Sequence, residues 1–245
     1  MQVYGELPVI TNQARRRTAE LVGLVSVTEE WNVANHRARA DDITGLESTT
    51  HFVLDAGTGM YLNALLLDFP LAPSVSRELR NLAQVEAAER PNPRRAARAR
   101  ELELAGAGAR GSIWEGDLRH ETIIVYLRPE RPQIDAAIAE RSGKIARDGQ
   151  HEARLLKEMI EHGAEVNPQV MHSVGVRELT QYLSGSLTLQ QAEDRICART
   201  RRFARRQMRW FDKLARTLEG RARITVVEDR HQLTKLHCMH DIIGP

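Results

Sequence analysis

Two stretches of this chain carry residue types and spacings that could do chemistry. The first is Thr200-Arg201-Arg202-Phe203-Ala204-Arg205-Arg206-Gln207-Met208-Arg209-Trp210-Phe211. On a helix of roughly 3.6 residues per turn, Arg195, Arg199, Arg202, Arg206 and Arg209 recur at steps of three and four and form one stripe, which Arg201 and Arg205 widen. Between Arg195 and Trp210 there are seven arginines and no acid. A solvated helical face ordinarily mixes Glu with its basic residues. This one repels itself unless an anion lies against it. Guanidinium grips phosphate through a two-pronged fork, so a phosphate backbone is the best-fitting anion. On charge alone, the exposed face of an arginine-rich chain is an equal alternative. The second stretch is His51-Phe52-Val53-Leu54-Asp55-Ala56-Gly57-Thr58-Gly59-Met60-Tyr61. It reads as a short strand, a glycine turn and a helix through Leu67, the arrangement in which open α/β sheets hold ligands. Taken alone that turn is a weak signal, since two glycines and a threonine make up many ordinary turns.

The elements that must position these residues follow from periodicity. Leu189, Ala192, Ile196, Thr200, Phe203, Gln207, Trp210 and Leu214 step by three and four. They predict a helix over 189–218, started by Ser186 or Thr188, with Phe203 and Trp210 as core aromatics. Residues 19–27 predict a short strand, and Thr28 predicts the cap of a helix to about Ala40, with Glu29 and Glu30 at its positive end. Residues 75–90 predict a helix with Leu79, Leu82 and Val85 inward, stopped by Pro91-Asn92-Pro93. A second helix follows over 94–104. Its opening turns hold Arg94, Arg95 and Arg98, where positive charge opposes the helix dipole. That again invites an external anion, unless Glu101 or Glu103 satisfies the arginines. The glycine-rich run 105–112 predicts a hinge or mobile loop. Residues 121–127 predict a buried central strand; 134–146 and 153–162, amphipathic helices; 172–179, a loop entering a helix that ends near Gly185; 224–227, a late strand. Strands alternating with helices give an α/β class with a mainly parallel sheet and an added helical lobe.

Composition sets the outer bounds. The 245 residues, 42% of them hydrophobic, suffice for one large domain or a core with an inserted lobe. Net charge is only +2, yet arginine gathers at 90–100 and 195–209, so a local basic surface is expected. The two cysteines, Cys197 and Cys238, make no disulfide framework and suit a reducing cytoplasm. No apolar run approaches the ~20 residues that span a bilayer. His237-Cys238-Met239-His240 offers three donors but poor zinc spacing, and is set aside.

Four stretches together resemble the tRNA dimethylallyltransferases, also called tRNA isopentenyltransferases. Met1-Gln2-Val3-Tyr4 is similar to the end of that family's Asp-Ser-x-Gln-x-Tyr segment, and residues 55–61 to its Gly-Gly-Thr-x-x-Tyr turn. His172-Ser173-Val174-Gly175-Val176-Arg177-Glu178-Leu179-Thr180-Gln181-Tyr182 is similar to its Gly-Tyr-x-(Gln/Glu)-Leu segment, and residues 200–211 to its Thr-Arg-x-x-Ala-Lys-Arg-Gln-x-x-Trp signature. The resemblance implies an α/β fold related to P-loop nucleotide-binding proteins, a parallel sheet flanked by helices. Residues 1–70 would form a partial core, 71–119 a shortened helical insertion with a tRNA-contact segment, and 120–245 the rest of the core with the basic helix.

The same resemblance implies transfer of a dimethylallyl group from dimethylallyl diphosphate to the exocyclic amine of an adenosine beside the tRNA anticodon, with magnesium, in a monomeric cytoplasmic enzyme. Thr58 would lie at the reacting adenine. Gln2, Arg80, Arg94, Arg95, Arg98, Gly175, Arg177, Arg205, Arg206 and Gln207 would lie along the tRNA. No Gly-x-x-x-x-Gly-Lys-(Ser/Thr) run occurs in these residues, and the Asp of the Asp-Ser segment, the proposed base, is not among them. This leads to the expectation of a core incomplete at its N-terminus, with an uncovered sheet edge, and of a chain inactive as written. The alternative is a non-catalytic RNA-binding protein of the same descent.

Overall fold

The computed structural model describes residues 1–13, 19–45, 51–73, 75–106, 111–229 and 231–232, without the side chains of Arg77 and Arg94. The expected loop at 107–110 and the His237–His240 donors lie outside the described residues. In chain order the elements are α1 (Val33–Gly45), α2 (Gly59–Leu66), α3 (Arg77–Ala87), α4 (Pro93–Leu104), β1 (Ile123–Leu127), α5 (Arg131–Asp148), α6 (Gln150–Glu161), α7 (Pro168–Met171), α8 (Val176–Leu183), α9 (Leu189–Thr217) and β2 (Arg223–Val227). Contacts divide the chain into a larger unit, residues 1–61 with 121–245, and a smaller unit, residues 62–120.

In the larger unit, β1 and β2 pair in parallel, Ile123 against Arg223 through Leu127 against Val227. The class is α/β, helices with a small parallel sheet. β1 is half-exposed rather than the buried central strand expected, because among the described residues only β2 flanks it. The core lies instead among helices and the first residues. Leu7, Val27, Ala153, Leu156, Val170, Val176, Leu179 and Ile196 are fully buried, joined by Val3, Tyr4, Ile10 and Ile145. Buried Glu152 anchors the opening segment by accepting hydrogen bonds from the Val9 and Ile10 amides at 2.6 and 2.9 Å. Burial pushes its carboxyl up from the usual carboxylate range, which the two amides partly offset.

Three expectations fail here for identifiable reasons. The run 51–54 is not a strand: Phe52, Val53 and Leu54 are exposed, and no described strand lies beside them to complete a ladder. Residues 19–27 contribute only an isolated bridge, Tyr4 to Val25. The first helix starts after Asn32, whose Oδ1 accepts from the Ala34 and Asn35 amides at 2.8 and 3.0 Å, not after Thr28. Glu29 is held in a turn, its carboxylate accepting from the Ser26 amide and its carbonyl from the Asn167 side chain at 2.9 Å, so it is unavailable to a helix terminus.

α9 forms as the periodicity predicts. Thr188 accepts from the Gln191 amide at 3.2 Å and Gln191 Oε1 from the Thr188 amide at 2.9 Å, a reciprocal cap. Ala192, Ile196 and Leu214 are its buried residues. Phe203, expected in the core, is 41% exposed.

In the smaller unit, α3 packs on α4. Ser76 caps α3 through the Leu79 amide and Asn92 caps α4 through the Arg95 amide, with Pro93 in the first turn. The inward face of α3 is carried by Ala83 and Ala87, not by Leu82 and Val85, which are 47% and 76% exposed. Small residues let two helix backbones approach closely, so alanines take the contact and the larger side chains turn outward. Buried Asn63 donates to the Ile113 carbonyl at 3.0 Å, and an antiparallel bridge joins Leu67 to Leu118.

Candidate functional site

The site is built where α9 passes the glycine turn, both in the larger unit. The Gln207 side-chain amide donates to the Gly57 carbonyl, fixing the turn to the middle of the arginine-rich helix. A Cβ at Gly57 would lie 3.0 Å from Gln207 Nε2, and one at Gly59 would overlap the Trp210 indole. Both glycines therefore permit the turn to lie close on the helix. Trp210 is half-buried as the surface against which Gly59 sits. Thr58, between the two glycines, is exposed, and its hydroxyl has no hydrogen-bond partner among the described residues. A threonine hydroxyl presented in this way can both donate to and accept from a ligand.

One turn into α2, the Tyr61 ring meets His36 at 4.9 Å between centroids, and His36 meets Trp31 at 6.1 Å, both edge-on. Trp31 Nε1 and His36 Nδ1 are buried without a hydrogen-bond partner among the described residues. Burial pushes the imidazole down, so it stays neutral near pH 7. The aromatic ladder joins α1 to the first turn of α2, the helix that Thr58 precedes. Sequence reasoning missed it, because Trp31 and His36 belong to no recognised segment.

The arginines of α9 separate into two groups. Arg199 donates to Glu178 Oε1 at 2.5 Å and to the His172 carbonyl at 2.6 Å, and Arg201 meets Asp135 Oδ1 at 3.2 Å. Arg195 donates to Gln181 and Arg209 to the Arg205 carbonyl. Arg202, Arg205 and Arg206 are exposed, and their guanidinium groups have no ion pair or hydrogen bond among the described residues. Glu178 also accepts from the Gly175 amide at 2.9 Å, so a single buried carboxylate holds both the α8 turn and Arg199. Three residues after Gly175, Glu178 makes the carboxylate half of a helix-start cap, with no side chain at Gly175 to reciprocate, so the usual Ser/Thr-x-x-Glu signal is absent from the sequence. Gly175 is buried with φ of +100°, a conformation that favours glycine. Arg177 beside it is exposed.

Gln2 is tied to the Asn12 carbonyl at 2.8 Å. In the smaller unit, Arg80 donates to the Val75 carbonyl at 3.4 Å, and Arg98 is paired with Glu101 at 2.6 Å. Arg95 is exposed, and the Arg94 side chain lies outside the described residues. Thus the structure brings together Thr58, Gln207 and the free arginines of α9, while Arg98 is already satisfied internally. Among the described residues no three His, Cys, Asp or Glu side chains gather as a metal-holding group. No helix among the described residues is long and apolar enough to cross a membrane.

A family model described as IPP transferase matches residues 2–214. A tRNA dimethylallyltransferase of Rubrobacter xylanophilus is 60% identical over 247 residues, covering 100% of this chain and 85% of that protein. One of Rickettsia felis is 30% identical, covering 87% and 79%. The crystal structure of the full-length tRNA isopentenylpyrophosphate transferase from Bacillus halodurans superposes with a TM-score of 0.67 at 21% identity, over 98% of this chain and 84% of that one. A tRNA delta(2)-isopentenylpyrophosphate transferase from Staphylococcus epidermidis gives 0.63 at 16% identity, over 98% and 88%. These two likenesses show a shared fold.

Proposed function

Because this chain belongs to the IPP transferase family, a family of tRNA prenyltransferases, we propose that it transfers a dimethylallyl group from dimethylallyl diphosphate to N6 of the adenosine next to a tRNA anticodon. The observation that carries the reading is the Gln207–Gly57 hydrogen bond. It ties the turn that bears an exposed threonine hydroxyl to a helix whose Arg202, Arg205 and Arg206 have no partner among the described residues. Phosphates of the anticodon arm would lie on those guanidinium groups, which hold the nucleic acid in register without reading its sequence. The target adenine must leave its stack to reach a protein site. The Thr58 hydroxyl would then orient it by a hydrogen bond, keeping the amine directed at the allylic carbon.

The amine attacks that carbon, the carbon–oxygen bond breaks, and diphosphate departs with the electron pair; the amine's surplus proton goes to a base. No residue here is assigned as that base or as the holder of diphosphate, since the glycine–lysine loop is not among these residues. The Rubrobacter relative matches the whole of this chain and is named as the enzyme. That favours a working transferase over both an inactive chain and a purely RNA-binding one.

The test is mass-spectrometric detection of prenylated adenosine. The protein, expressed from its complete reading frame, is incubated with unmodified tRNA, dimethylallyl diphosphate and magnesium. Product that falls sharply with Thr58→Val supports the reading. Tight tRNA binding with no product under any condition would establish the non-catalytic alternative.

A further inference from the structure

Phe203 stands out on α9. It lies on the same face as Ile196 and Trp210, which turn toward the protein, yet it is 41% exposed. The structure shows why that face is uncovered there. One turn before Phe203, Arg199 is drawn to the His172 carbonyl and Glu178. One turn after it, Gln207 is drawn to the Gly57 carbonyl. The two attachments are eight residues apart, about 12 Å along the helix axis, and Phe203 lies midway between them in the sequence. The flanking cations Arg202 and Arg206 have no partner among the described residues. Guanidinium groups disfavour a cationic partner, and an exposed aromatic among them suits a flat, π-faced group attached to phosphate.

We propose that Phe203 is a stacking platform for an unpaired base of the RNA, a neighbour of the base presented to Thr58, with Arg202 and Arg206 on the adjoining phosphates. This rests on the tRNA reading above and deepens it: single-stranded loops are recognised by stacking splayed bases on aromatic and guanidinium planes. It makes Phe203 a positioning residue. By holding the neighbouring base it would keep the target base out of its own stack.

The experiment uses the full chain and an anticodon stem-loop RNA carrying 2-aminopurine beside the target adenosine. Wild type and Phe203→Trp should quench the probe on binding. Phe203→Ala and Phe203→Leu should lose the quenching and weaken binding about tenfold or more, in the range of a lost base–aromatic stack, with the salt slope unchanged. Arg206→Ala should instead reduce that slope. Phe203 is 41% exposed and otherwise covered, so Phe203→Leu, which keeps its apolar bulk, should melt close to wild type and carries the test where Phe203→Ala is destabilised. Quenching retained by Phe203→Ala, or fully restored by Phe203→Leu, overturns the stacking role alone when Arg206→Ala is impaired in the same assay. A wild-type chain that binds no RNA overturns the tRNA reading, and this inference with it.

Discussion

α4 and α9 are both arginine-rich helices, but their charge is disposed of differently. In α4 the arginines arrive with acids at helical spacing. Arg98 meets Glu101 at 2.6 Å, and Arg100 meets Glu103 at 3.2 Å and Glu86 of α3 at 2.5 Å. In α9 the stretch from Arg195 to Trp210 has no acid of its own, so any pairing must come from elsewhere in the fold. Glu178 and Asp135 take Arg199 and Arg201, and three guanidinium groups remain without partners among the described residues. A cluster of arginines thus holds a helical hairpin in one case and presents a surface to phosphate in the other. The difference lies in whether acids accompany it at three- and four-residue steps.

The comparison is broken most severely by converting a satisfied arginine of α9 into an unsatisfied one. Glu178→Ala leaves part-buried Arg199 and the Gly175 amide without their shared acceptor. Removal of one partner from a buried pair should destabilise the fold by about 3–5 kcal/mol, read as a shift in the urea midpoint. A smaller effect is expected from Gly59→Ala, whose new Cβ meets the Trp210 indole. Overpacking of this kind should cost roughly 1–3 kcal/mol, read in the same way, and should also impair transfer by lifting the Thr58 turn off α9.

The comparison is sharpened by the combined substitution Arg202→Ala, Arg205→Ala and Arg206→Ala. Stability should change little, since these side chains hold nothing within the described residues. Affinity for tRNA should fall, and the slope of log affinity against log salt should decrease by about 2 in total, at roughly 0.7 for each phosphate left without its arginine. Arg100→Ala, by contrast, should leave that slope unchanged and lower only the melting temperature, slightly. Equal slope changes from both would dissolve the distinction between the two helices.

How much of this was legible beforehand depends on whether the controlling forces are local. α9, its Thr188 cap and the helix that follows Pro93 were readable because periodicity and capping chemistry act within a few residues. The arginine stripe and the Gly-Thr-Gly turn were readable as separate chemical features. Their junction through Gln207 was not legible: the resemblance placed Gln207 along the tRNA, and no spacing rule joins residues 150 apart. Phe203 misled because its neighbours on the wheel are buried, while its own exposure is decided by where two distant segments attach. Leu82 and Val85 misled because hydrophobicity favoured them as contacts, whereas the close approach of α3 and α4 selects alanine. The run 51–54 has strand composition, but a strand requires a partner, and no local property supplies one.

The smallest effect concerns Asp212, the first acid after the arginine stripe. Its Oδ1 accepts from Arg128 Nε at 2.9 Å and from the Tyr126 hydroxyl at 3.0 Å. The Arg128 hydrogen bond holds the Asp212 carboxyl below the usual carboxylate range, and burial together with Asp212 pushes the Tyr126 hydroxyl up to about 12. The signs are opposite in kind. A lowered acid contributes stability that is fully present above its unfolded-state value and is lost as pH falls through the folded-state value. A raised phenol contributes stability that is fully present below about 10, its ordinary value, and is lost as pH rises through about 12. Melting temperature against pH should therefore show a shallow acid limb below the ordinary aspartate range and an alkaline limb between about 10 and 12. Asp212→Asn should flatten the first and shorten the second, leaving the plateau near pH 7 only slightly lower, because the pair is largely solvent-exposed. The same substitution should leave the salt slope of tRNA binding at its wild-type value. A change in that slope would mean that Arg128, freed from Asp212, reaches the RNA, and that the boundary between satisfied and available arginines lies further along α9 than Trp210.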